Sequence, residues 1–333
     1  MNTVFVLTAL LVALVVVIGL AGAVAKANLK RQFPPVGQLI DVGGYRLHIN
    51  VQGQQHAGPT VVLDSGAGGF GVQWALVQPA VAQFARVVAY DRAGYGWSDP
   101  SPRQVPRDVE TLAQELHTLL QKANLPGPYI LVGHSLGGVV ARQFAQHDRA
   151  CVAGLVLVDS AHEQQPQRFP PELVKMMASM KTMLGVMKFL NVVGIQALHP
   201  KMLAGDQLGP QEMIDVYRAL IATNPHHFPT TLAESEAALV GAAAPAPLGS
   251  LPLVVLSHGL PQDVPMAKPE VNRAYEEAWQ TMQAELAALS PDSQRRVVET
   301  AGHNIQIDQP QAVVEAIRAV WQKAQSARLR HLS

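Results

Sequence analysis

No charged side chain occurs between Thr3 and Ala25, "TVFVLTALLVALVVVIGLAGAVA", a run of 23 positions. A helix needs roughly 20 apolar residues to cross the hydrocarbon core of a bilayer, and this run supplies them. The pattern then changes. "RQFPPVG" is short and proline-stiffened, and it reads as a linker over 31–37 after a first segment of 1–30. From Gln38, short Val/Ile/Leu runs alternate with longer segments of helical periodicity. "LIDVGGYRLHINVQG" alternates around a Gly-Gly turn and predicts a hairpin. "TVVLDSG", "ARVVAYDRAGYG", "YILVG", "GLVLVDS", "LPLVVLSHG" and "RRVVETAG" predict buried strands. Between them, "DVETLAQELHTLLQKA" carries leucines at helical spacing behind a capping Asp108, and "GVVARQFAQHD", a segment around Tyr275–Leu289 and "PQAVVEAIRAVWQKA" read as helices. Continuous apolar strands alternating with helices predict an α/β fold whose mostly parallel sheet is covered on both faces. The expected core is 38–160 with 251–325.

Residues 161–250 break that rhythm. They are helix-like and proline-punctuated, and they hold seven of the ten methionines, most of them in "ELVKMMASMKTMLGVMKFL". Two readings stand: flexible core packing, or a lid whose adaptable side chains line an apolar pocket.

Composition narrows the function. Formal net charge is zero with 15% charged residues, so the basic footprint of a nucleic-acid binder is missing. The single cysteine, Cys151, has no internal disulfide partner and sits beside a strand as a packing residue. No Walker motif, zinc-spaced Cys/His set or dinucleotide glycine fingerprint occurs, so neither cofactor nor metal is expected. Read as an uncleaved single-pass anchor, the N-terminal run is followed by Lys26, Lys30 and Arg31, which places the C-terminal domain in the cytoplasm by the positive-inside tendency. Read as a cleaved signal, its small-residue end "AGAVAKA" fits, although a basic leader is missing, and the product is then secreted or periplasmic.

The chemistry concentrates in "ILVGHSLGGVVARQFAQ", where Ser135 stands in a G-x-S-x-G pattern between a strand and a helix. Alone the pattern is weak; in that context it is the place where a sharp reversal strains the serine and lifts its hydroxyl clear of the sheet. A serine is a poor nucleophile at its own pKa and needs a base with an oriented acid behind it. Of twelve histidines, His303 in "VVETAGHNIQIDQP" is placed for this, after the last strand and a glycine. His117 and His147 lie in helix patterns, His226 and His227 in a loop without metal-ligand spacing, and His134 packs the turn.

With "VVLDSGAGG", "VVAYDRAGYGWSDP", "LVGHSLGG", "GLVLVDSAHE" and "ETAGHNIQIDQP" in place, residues 38–324 resemble the α/β-hydrolase superfamily, in the sub-group of esterases and lipases related to prolyl aminopeptidases. The resemblance implies the α/β-hydrolase fold with a helical lid, 161–250, inserted after the sixth strand. It implies a serine hydrolase with Ser135 as nucleophile, His303 as base and an acid between them in the chain. Asp159, at the end of "GLVLVDS", matches a minority position for the acid; Asp263, after the next strand, lies near the majority position but one residue outside its G-x-x-D spacing. Asp159 is preferred, with Asp263 as the competitor. The oxyanion donors are expected to be the amides of Leu136 and Ala67, where "DSGAGG" replaces the His-Gly of many relatives, and Asp64 is expected to brace that loop through backbone amides. The implied substrate is a small ester or lipid-like molecule with an apolar acyl group. Acyl transfer, amide or peptide hydrolysis and perhydrolysis on the same residues remain alternatives, as does a non-catalytic receptor with a lidded pocket. An epoxide hydrolase or dehalogenase would need aspartate at position 135.

Overall fold

The computed structural model describes residues 2–332 apart from 103, 204–208, 240–243 and 263. Asp263 therefore lies outside the described residues. Among the described residues, eight strands form one sheet: β1 (Gln38–Asp41), β2 (Arg46–Gln52), β3 (Thr60–Asp64), β4 (Val87–Asp91), β5 (Tyr129–His134), β6 (Val152–Val158), β7 (Leu253–His258) and β8 (Ser293–Val298). Their order is β1-β2-β4-β3-β5-β6-β7-β8. β2 is antiparallel to both of its neighbours, and every pair from β4 to β8 is parallel. The hairpin predicted around Gly43 and Gly44 is β1–β2.

The strand period of two divides the core. Val62, Val88, Leu131, Leu155, Leu157 and Val255 face one side, where they meet Leu116 and Leu119 of α2 (Val109–Lys122) and Val140 and Phe144 of α3 (Leu136–His147). Val61, Leu63, Val132, Val156, Val158 and Leu256 face the other side, packed with Val313, Ile317 and Val320 of the C-terminal helix Pro310–Leu332. Both faces being covered explains why these strands read as continuous apolar runs. Helix α2 starts where the sequence places it: Asp108 Oδ1 accepts a hydrogen bond from the Thr111 amide at 2.8 Å, a cap of about 1 kcal/mol.

The segment after β6 is helical as expected, with α4 (Pro171–Val192), α5 (Gln211–Thr223) and α6 (His227–Leu239). A further helix, α7 (Pro269–Ala287), starts earlier than the apolar pattern around Tyr275 indicated, because Pro269 opens its first turn. At the N-terminus α1 spans Asn2–Gln32. It is long and apolar enough to cross a membrane. The linker is correspondingly shorter than the expected 31–37, since Arg31 and Gln32 complete the last helical turn before Pro34 and Pro35 forbid continuation.

Candidate active site

The β5–α3 turn holds Ser135 at φ 51° and ψ −120°, a conformation rare for a side-chain-bearing residue. Its neighbours show why glycine surrounds it. A Cβ on Gly133 would lie 2.3 Å from the Gly137 carbonyl oxygen, and one on Gly138 would lie 2.0 Å from Ser160 Oγ. The turn closes only because both positions lack a side chain. Ser135 is half-buried and, among the described residues, its hydroxyl makes no hydrogen bond.

Asp159, directly after β6, is the second strained residue, at φ 42°. Its buried carboxylate accepts four N–H groups. His303 Nδ1 lies 2.6 Å and His258 Nδ1 2.7 Å from Oδ2; Trp279 Nε1 and the His258 amide reach Oδ1 at 3.0 and 3.1 Å. Burial opposes ionisation of this carboxyl, but the bonds from His258 and His303 outweigh it and hold its pKa well below the usual carboxylate range. Adjacent to Ser135, His134 packs at a tilt against His303 with ring centroids 4.6 Å apart, and its Nε2 lies 2.9 Å from the His303 carbonyl oxygen. Burial pushes the His134 pKa down to about 3, so the ring is neutral and Nε2–H donates to that carbonyl. The structure thus brings Asp159 and His303 into direct contact and sets Ser135 beside them through its neighbour.

Ser135, Leu136 and Ala67, the residues expected to supply nucleophile and oxyanion donors, line one pocket of about 200 Å³ together with Val139, His162 and Ala238. The methionine stripe behaves differently from the lid reading. Of its side chains only Met177 lines this pocket; Met187 packs on an inner cluster, and Met180 and Met183 are exposed. The reason is that apolar residues surround α4 on all sides, and a pocket can engage only one of them.

Asp64 braces its loop by a route other than the expected backbone amides. It takes Arg92 Nη1 at 2.6 Å, and the same buried guanidinium donates to the carbonyl oxygens of Ser65 (2.6 Å) and Gly66 (2.7 Å) and to Glu234 of α6 (3.0 Å). Arg92 therefore clamps the loop carrying Ala67 and ties it to the helical segment. Burial raises the Asp64 pKa, and Arg92 opposes that rise.

Three residues of the site were missed in the sequence: His258, Trp279 and Glu276. His258 ends β7 in "LVVLSHG", and the histidine at a strand end followed by glycine was the available signal. Its Nε2 faces Glu276 at 3.0 Å while Nδ1 faces Asp159, so both ring nitrogens donate to carboxylates and the ring is an imidazolium. Burial lowers its proton affinity, but the two carboxylates prevail and raise the pKa from 6.5 to about 9. A histidine whose pKa is raised on folding stabilises fully below its unfolded value, and the contribution disappears as pH climbs through the folded value. The melting temperature of the full chain is therefore expected to fall between pH 6.5 and about 9, and His258→Gln to flatten that fall. Parallel slopes for the two proteins would exclude the pairing.

Residues 61–316 match the alpha/beta hydrolase family. The chain belongs to that family, and it is a hydrolase. Among curated relatives, the YqjL protein of Bacillus subtilis (strain 168) is 26% identical over 80% of this chain and 84% of its own length. The efuK protein of Hormonema carpetanum is 36% identical over 40% of this chain, which spans only 20% of that protein. Among solved structures, a thermophilic esterase from Thermogutta terrifontis is 25% identical with a TM-score of 0.58, covering 86% of this chain and 98% of its own. The hydrolase core predicted from the sequence is the observed fold.

Proposed function

We propose that this hydrolase is a serine esterase acting through an acyl-enzyme, with Ser135 as nucleophile, His303 as base and Asp159 as the acid. The observation that carries the reading is the 2.6 Å contact between His303 Nδ1 and Asp159 Oδ2 at the sheet edge that also presents the strained Ser135. That contact commits Nδ1 of His303 as donor and leaves Nε2, which has no partner among the described residues, as the nitrogen that accepts a proton. Ser135 Oγ attacks the ester carbonyl carbon as its proton moves to His303 Nε2; the C–O bond to the alcohol breaks, and the alcohol leaves with that proton. Water then repeats the sequence on the acyl-enzyme and regenerates Ser135. The anionic Asp159 stabilises the imidazolium formed at His303 in each half-reaction. The amides of Leu136 and Ala67 are assigned to the developing oxyanion, a contribution of about 3–4 kcal/mol where such donors have been removed. In the resting site the serine hydroxyl is unbonded, and catalytic contacts of this kind tighten when substrate enters.

The pocket's apolar lining, Val139, Ala161, Met177 and Ala238, favours a small apolar acyl group. The esterase among the solved structures supports the same reading. Aspartate at the turn, which epoxide opening would require, is replaced here by serine. A fluorophosphonate probe is expected to label the full chain at Ser135, and an ester panel to give turnover that falls with acyl length. A folded protein that resists the probe would contradict the assignment.

A further inference from the structure

Among the described residues of the helical segment, seven large apolar side chains face solvent: Met180, Met183, Val186, Phe189 and Val192 along α4, then Leu198 and Met202 just beyond it. The first five recur at intervals of three, a ridge inclined to the helix axis. Together they exceed what isolated surface residues explain, because they crowd into one stretch, α4 and the two short helical turns that follow it. Within this stretch the exposed charges are lysines: Lys181, which reaches Glu236 at 3.2 Å, Lys188 and Lys201.

The end of this ridge touches α1. Gly22 and Gly194 meet backbone to backbone, so closely that a Cβ on Gly22 would lie 2.6 Å from Gly194 Cα. Lys26 Nζ donates to the Asn191 carbonyl at 2.7 Å, and Ala25 and Leu29 pack on the cluster formed by Leu184, Ala197 and Leu220. The last turns of α1 are thus part of the helical segment's own core, which argues that α1 stays on the folded protein. Depth follows from helix geometry. The charge-free run Thr3–Ala25 measures about 34 Å at 1.5 Å per residue, slightly more than the roughly 30 Å of hydrocarbon it must cross. Gly22 lies one turn before Lys26, so it sits where acyl chains give way to headgroups. Whatever touches Gly22 sits at that depth as well.

We propose that the helical segment is a second membrane contact, with the α4 ridge lying in the headgroup–acyl boundary of the bilayer that α1 spans. The occupant is lipid. Val192 and Phe189, next to the Gly22–Gly194 contact, enter first, and Met183, Val186, Leu198 and Met202 extend the buried face. Lys188 lies among anionic headgroups. An amphipathic surface of this composition is held in the interface by apolar burial together with lysine charge. The proposal rests on α1 acting as a retained anchor and is independent of the serine chemistry.

The test places an environment-sensitive NBD label on Phe189→Cys in a Cys151→Ser background, in the full chain reconstituted into vesicles of phosphatidylcholine and anionic phosphatidylglycerol. A second label on Lys122→Cys reports the opposite edge, since Lys122 ends α2 just before the start of β5 and Ser135 stands at the end of that strand. The Phe189 label is expected to shift to the blue and to lose emission when the vesicles contain lipids brominated near the headgroup, while the Lys122 label does neither. Matching behaviour of the two labels would overturn the proposal. So would recovery from cells of a mature chain lacking its first 25 residues. Fluorophosphonate labelling in the same vesicles reads the active site separately, so loss of probe reaction with retained quenching counts against the esterase assignment alone.

Discussion

Ser135→Ala is expected to abolish ester turnover, lowering kcat by about 10⁶-fold, the loss measured when the nucleophile of a serine triad is removed. The loss should be chemical and not structural. The Ser135 hydroxyl makes no hydrogen bond among the described residues, so its removal leaves no buried partner unsatisfied. Alanine also bears the same Cβ as serine, and the strain at φ 51° is unchanged by the substitution. Melting temperature and near-ultraviolet circular dichroism should therefore match the wild type while probe labelling disappears. A variant that keeps turnover within an order of magnitude would sink the nucleophile assignment.

Asp159→Asn is expected to cost about 10⁴-fold in kcat, with substrate affinity less affected. The side chain keeps its shape but exchanges an acceptor oxygen for an NH₂ group. All four of its present contacts are N–H donors, so the amide must confront at least one of them. If the NH₂ meets His303, that ring turns to the tautomer with Nε2–H and can no longer take the serine proton. If it meets Trp279 and the His258 amide, a buried donor is left unpaired, at about 1–3 kcal/mol. In either orientation the His258 imidazolium loses half of its counter-charge, and breaking a buried ion pair from one side costs about 3–5 kcal/mol. This variant should therefore lose stability as well as rate, in contrast to Ser135→Ala. Asp263→Asn supplies the comparison: it should retain most activity, because the Nδ1 of His303 is already taken by Asp159. The reverse ranking of the two aspartates would move the acid to the later loop.

Much of this protein is written in local pattern. The strands β3 to β7 are legible because each is buried on both faces, and only unbroken apolar runs survive there. The turn around Ser135 is legible because a reversal that tight excludes side chains at Gly133 and Gly138, so its geometry leaves glycines in the sequence. His303 is legible because a loop after the last strand must reach the edge where Ser135 stands. The methionine-rich segment was legible as helix but not in orientation, since apolar residues all round an axis do not say which of them meet protein.

The remainder depends on distance across the chain. Nothing near Asp159 announces that His258, 99 residues away, and Trp279, 120 residues away, will converge on its carboxylate. Parallel strand pairing of β6 with β7 brings the first of them, and packing of α7 on β7 brings the second. Arg92 likewise holds both Asp64, 28 residues before it, and Glu234, 142 residues after it. The sequence alone determined the layers, the reversal at Ser135 and the pool of chemical groups, because those obey periodicity and sterics within a few residues. Only the tertiary structure decided which aspartate stands against His303, that a second histidine shares it, and that the α4 ridge turns away from the pocket. Pairing of buried charges and choice of a helix's dry face are settled by what the folded chain places opposite them.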